Sequence, residues 1–150
     1  YVPHSRVGGD YYDLIASGAE KIYFCIADVS GKGMAAALLM SNFQAALRTL
    51  LRSNADLEAL IHQLNFTLFD LTKGERFITF FIGIYNVKNK ELHYINCGHN
   101  PPVLKQNNVL QILKKGDRVN KIRVNLTPVP KQLITVELFL HFLSLLNNFI

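Results

Sequence analysis

Two aspartates are the residues of this chain best suited to chemistry. Asp10 stands in Gly8-Gly9-Asp10-Tyr11-Tyr12-Asp13, and Asp28 in Ala27-Asp28-Val29-Ser30-Gly31-Lys32-Gly33. Each lies beside glycines and next to an extended, aromatic or β-branched run. A carboxylate at the tip of a strand, beside a glycine turn, has a fixed position and an open approach for a ligand. Neighbouring strands bring two such acids together, and converging oxygens are what a hard divalent cation requires. The plainer reading of Asp28 is a cap for the helix behind the turn. The second acid, beside its own glycine pair upstream, favours the cation.

The elements that must hold these acids are legible in the pattern. Tyr11 to Ala16 reads as a strand, Ser17 to Glu20 as a hairpin turn, and Lys21 to Ala27 as the returning strand. From Gly33 the chain is rich in Ala and Leu without a breaker until Ser53, which predicts a helix over Gly33 to Arg52. Asn54 or Ala55 opens a second helix, Asp56 to Leu71, with leucines at helical spacing and His62 on its exposed side. Arg76 to Asn86 and Glu91 to Cys97 form a strand pair around the turn Val87 to Lys90. Gly98-His99-Asn100-Pro101-Pro102 breaks the sheet, and Val103 to Lys105 with Val109 to Leu113 makes one more hairpin. Two helices among antiparallel hairpins indicate an α+β layered domain.

Four blocks occur in order: G-G-D-Y-Y-D, A-D-V-S-G-K-G-M-A-A-A-L-L-M-S, F-I-T-F-F-I-G-I-Y and N-C-G-H-N-P-P. Together they resemble the SpoIIE/RsbU-type branch of the metal-dependent (PPM) Ser/Thr phosphatases, over residues 1 to about 113. The resemblance implies a phosphatase-like β-sandwich flanked by helices, with two Mg²⁺ or Mn²⁺ ions at one end. It implies metal-activated attack of water on the phosphate of a phosphoserine or phosphothreonine protein. Carried over residue by residue, Asp10 and Asp28 are the metal ligands and catalytic residues, and the backbone carbonyl of Val29 also faces the metals. The implied substrate is a phosphorylated regulatory protein, of the anti-sigma-factor antagonist type, in bacterial signalling. A sensor domain is expected upstream of such a domain.

The remaining polar residues carry plainer expectations. Asp13 reads as an outer partner of the metal ligands or a strand-end acid. Lys32 reads as a phosphate-attracting residue or a solvated turn lysine. His99 is expected to shape its loop, which the resemblance places near the metal end, and Thr79 to be a polar position on a core strand. His4, His93 and His141 give no signal. Gly31-Lys32-Gly33 lacks the spacing of a nucleotide-binding P-loop.

The family has two later acid motifs, a T-D-G turn and a further Asp near the C-terminus. After Gly116-Asp117-Arg118-Val119 neither follows, and Glu137 is the one acid from Asn120 to Ile150. The chain therefore divides into a partial phosphatase domain, 1–117, and a divergent tail, 118–150, for which an out-of-frame origin is the working expectation. The sandwich is expected to be incomplete at both ends. Enzymatic activity follows by lineage, while the missing acids leave a second reading open: an inactive fragment that only binds a regulatory protein.

Composition narrows the classes. Apolar residues make up 49%, which suits a packed core rather than a disordered chain. The net charge of +5 comes wholly from residues 101–150, with 7 Lys/Arg against 2 Asp/Glu, and no basic tract interleaved with aromatics suggests a nucleic acid. Cys25 and Cys97 fall in strand-like runs and read as reduced thiols of a cytoplasmic protein. The apolar tail from Leu133 is interrupted by Glu137, His141, Asn147 and Asn148, a poor membrane span.

Overall fold

A computed structural model describes residues 8–53, 56–106, 109–113 and 116–123. The expected extended segment before Gly8, His4, the alternatives Asn54 and Ala55, and the tail beyond Arg123 lie outside the described residues.

The chain runs β1 (Asp10–Ser17), β2 (Lys21–Val29), α1 (Gly33–Arg52), α2 (Leu57–Thr72), β3 (Ile78–Asn86) and β4 (Glu91–Cys97). It continues through β5 (Val103–Gln106), β6 (Val109–Ile112) and β7 (Gly116–Arg123). Strands β1-β2-β3-β4-β7 form one sheet in that order, and β5-β6 form a two-stranded hairpin. Every neighbouring pair is antiparallel. This is the α+β layered architecture: helices on one face of the sheet, the hairpin on the other.

Strand alternation divides the core accordingly. Tyr11, Tyr23, Cys25, Ala27, Val29, Phe80, Ile82 and Ile95 face the helices. There they pack on a stripe of α1 that includes Ala36, Leu39, Phe43 and Leu47. Phe24, Phe81, Tyr85, Leu92 and Tyr94 face the other way, beneath Leu104 and Leu113 of the hairpin segment. By length and composition α1 would pass for a membrane span, but Leu47 and Ala36 are fully buried against protein. The slim alanine turns let it lie close to the sheet.

Boundaries follow local chemistry. Asp56 caps α2 by accepting a hydrogen bond from the Ala59 amide at 2.8 Å, and Lys73 ends it in the left-handed conformation. The third strand starts at Ile78, two residues later than Arg76, because Arg76 and Phe77 are used by the loop after β2. Strand β7 pairs with β4 through Glu91↔Arg123 to Asn96↔Gly116, so the strand crosses residue 117.

Candidate metal centre

Gly9, ahead of Asp10, lets the first two strands come into contact at the site. A Cβ on Gly9 would stand 3.0 Å from the Val29 Cβ and 3.3 Å from the Ala36 Cβ, so a larger residue would push β1 off β2 and α1. With glycine there, the Gly9 carbonyl accepts the Val29 amide at 3.3 Å. The next pair in the ladder is Asp10↔Asp28. Both side chains stand on the face opposite the helices, at one end of the sheet, and both residues are exposed. Thr79 is the partner of Asp28 on β3 and continues the row.

The carboxyls interact. Partial burial, then a hydrogen bond and charge repulsion from Asp10, push Asp28 above the usual carboxylate range, while His99 pulls it back. Two acids held face to face fit a hard divalent cation by the chemistry of their oxygens. Among the described residues no group of three His, Cys, Asp or Glu side chains converges. Mg²⁺ or Mn²⁺ held by Asp10 and Asp28 would supply positive charge against phosphate oxygens and make water a better nucleophile.

The loop after Asp28 is tied down from β3. Ser30 donates its amide to the Phe77 carbonyl at 2.9 Å and accepts the Phe77 amide on its hydroxyl at 3.0 Å. The Arg76 guanidinium donates to the Ser30 carbonyl at 3.1 Å. Gly31 adopts φ +103°, open to glycine and costly for other residues. The residue capping α1 is Lys32, without a side-chain cap bond, so the capping alternative for Asp28 falls. Val29 sends its side chain into the helix-side core and its amide to Gly9.

Asp13 is corrected. It is three residues from Asp10, so it points to the opposite face of β1, away from the acid pair. There it takes two hydrogen bonds from Arg48, at 2.8 and 2.9 Å, and one from the Tyr11 hydroxyl. It fastens β1 to α1 and serves no metal ligand. The neighbouring Cys25 thiol is buried and pushed up to about 12 by that burial, then by the charge of Asp13, which makes it unreactive. Both cysteines are free.

Thr79 is closer to the acids than the sequence indicated, and His99 stands at their end of the sheet, where the resemblance places its loop. The Thr79 hydroxyl lies 2.9 Å from His99 Nδ1 and 3.5 Å from the Asp28 carbonyl. His99 is brought there by Gly98, at φ +74° and bridged to Phe80. The signal for Thr79 was its parity: position 79 shares a face with Phe81 and therefore with Asp28.

The sequence model of the Stage II sporulation protein E (SpoIIE) family matches residues 18–120, and the chain belongs to that family, as a SpoIIE/RsbU-type PPM phosphatase domain. It is 34% identical over 100 residues to phosphoserine phosphatase RsbU of Bacillus subtilis, covering 67% of this chain and 30% of the relative. The RsbU and RsbW domains of Rv1364c from Mycobacterium tuberculosis match with a TM-score of 0.72 at 21% identity, over 83% of this chain and 38% of that one. The PP2C phosphatase domain of SpoIIE from Bacillus subtilis matches with a TM-score of 0.72 at 20% identity, over 81% and 39%. RsbX, solved in complex with magnesium, matches with a TM-score of 0.61 at 16% identity, over 79% and 61%. At these identities the solved structures share the fold. The chain spans about a third of the length of the relatives it matches first.

Proposed function

We propose that the chain is a metal-dependent phosphatase domain that removes phosphate from serine or threonine of a bacterial regulatory protein. The observation that carries this is the cross-strand pairing of Asp10 with Asp28 on one open face, in a chain of the SpoIIE family. Asp10 and Asp28 would hold Mg²⁺ or Mn²⁺, with the Val29 carbonyl as a further ligand, and two ions are expected for the family. The magnesium in RsbX supports that choice of cation. The RsbW domain beside the RsbU domain in Rv1364c supports a regulatory protein as the partner, and the anti-sigma-factor antagonist type is what the family resemblance adds. The free thiols of Cys25 and Cys97 support a cytoplasmic location.

Within the site the protein's own residues have separable tasks. Asp10 and Asp28 present anionic oxygens from two rigid strands. The Ser30–Phe77 bonds hold the turn that follows, and Gly31, with no Cβ, leaves room for the Arg76 guanidinium that packs against it.

The acid pair counts two carboxylates among the described residues, which favours one competing reading, a fragment that binds the regulatory protein without turning it over. Hydrolysis of a phosphoserine peptide with 1–10 mM Mn²⁺ (order-of-magnitude conditions for weak, few-ligand sites) separates the two. Turnover that disappears in Asp28→Asn supports the enzyme. No turnover at any Mn²⁺ concentration, with the peptide still bound, supports the binding fragment.

A further inference from the structure

We propose that Thr79 and His99 are positioning residues for the cation at the Asp10–Asp28 pair, acting through the main chain of Asp28. The inference rests on the reading of that pair as a cation site and adds two residues from elsewhere in the chain. Thr79 is the β3 partner of Asp28, and its hydroxyl reaches both the Asp28 carbonyl, at 3.5 Å, and His99 Nδ1, at 2.9 Å. A hydroxyl has one proton. If Thr79 donates to the imidazole, its hydroxyl adds only a contact to the carbonyl, whose residue the β2–β3 ladder also pairs with Thr79. If Nδ1–H donates to Thr79, the hydroxyl proton turns to the Asp28 carbonyl. In both arrangements the imidazole, the hydroxyl and the Asp28 backbone stay in one chain of contacts.

His99 is itself held from behind. Its main-chain amide donates to Asn96 Oδ1 at 2.9 Å, and Asn96 is a buried polar residue, 2% exposed. Because the amide oxygen must face His99, the orientation of Asn96 is fixed. Its nitrogen is left as a buried donor without a partner among the described residues. An orphaned buried donor is costly, and the turn at His99 is what that orientation secures. Asn96 lies opposite Phe81 on β4 and shares the face of Thr79, so the support spans three strands: Asp28 on β2, Thr79 on β3, Asn96 on β4.

The physical need is preorganisation. Two like charges facing each other push apart when no cation separates them, and a spread pair binds a cation more weakly. Anchoring the Asp28 main chain from β3 and from the loop after β4 resists that spread. Groups that hold metal ligands in this way typically change affinity about 10–100-fold when removed.

Mn²⁺ titrations followed by electron paramagnetic resonance test the proposal on the whole protein, with melting in EDTA as the second readout. Thr79→Val keeps the shape and removes the hydroxyl; it should weaken Mn²⁺ about tenfold or more, as should His99→Ala. Thr79→Ser should restore affinity to within about threefold, which a purely steric role would not produce. His99→Gln, which keeps a polar group, covers the case in which His99→Ala does not fold. Wild-type affinity in Thr79→Val, with binding lost in Asp28→Asn, overturns the inference and leaves the acid-pair reading standing. Wild-type affinity in Asp28→Asn overturns that reading and the inference together.

Discussion

Asp10 and Asp28 are direct partners across the β1–β2 ladder, with their carboxyls in contact on the face that the helices leave uncovered. Packing gives no reason to set two acids opposite one another, since like charges in register destabilise a sheet. The arrangement is a cost to the fold that a bound cation would remove.

That cost has a pH dependence. The folded protein holds the Asp28 proton more tightly than the unfolded chain does, because its folded value is raised. Without metal, stability therefore rises as pH falls from neutral through the raised value, and the gain is complete below the unfolded value of about 3.9. Asp28→Asn should be more stable than wild type near pH 7 in EDTA, by about 0.5 kcal/mol, and should lose this part of the pH profile. Thermal melts in EDTA at pH 7 and pH 5 check it. An Asp28→Asn variant that melts below wild type at pH 7 would count against the repulsion.

On the other face of the same strand an acid has the opposite role. Asp13 is mostly shielded and bridged by Arg48, whose side chain remains about half exposed. Asp13→Ala should lower stability by about 1–3 kcal/mol, because the Tyr11 hydroxyl and Arg48 both lose their acceptor. The Asp13–Arg48 coupling in a double-mutant cycle, read by urea unfolding, should be favourable but small, because Arg48 is exposed to solvent. Mn²⁺ affinity should not change in either variant. A metal defect in Asp13→Asn would return Asp13 to the site.

Gly83 supplies a third test, of the layer beneath the hairpin. A Cβ there would meet the Phe24 ring at 2.5 Å and Leu92 at 3.0 Å. Gly83→Ala should cost about 1–3 kcal/mol by overpacking, measured by urea unfolding. Unchanged stability would mean that Phe24 can move aside and that the layer is loosely packed.

Much of the scaffold was legible because its signals are local. The helix Gly33–Arg52 and the strand Glu91–Cys97 have the bounds that the breakers and apolar runs predict. The acids were legible as a pair because a short hairpin leaves neighbouring strands one simple register. Asp13 was misjudged although its parity was available: three residues on a strand is an odd step, and an odd step changes face. The contact between Thr79 and His99 was out of reach for a different reason. They are 20 residues apart and meet through a left-handed glycine and a single bridge to Phe80, which no periodicity encodes. The pairing of charged β7 with β4 was equally hidden, since its run Gly116–Arg123 alternates weakly.

The most direct measurement is a Mn²⁺ titration of wild type, Asp10→Asn and Asp28→Asn, read as free Mn²⁺ by electron paramagnetic resonance. If the pair is a cation site, wild type binds Mn²⁺, and each variant loses affinity about tenfold or more. Equal binding by all three proteins, or none by wild type, would contradict the account.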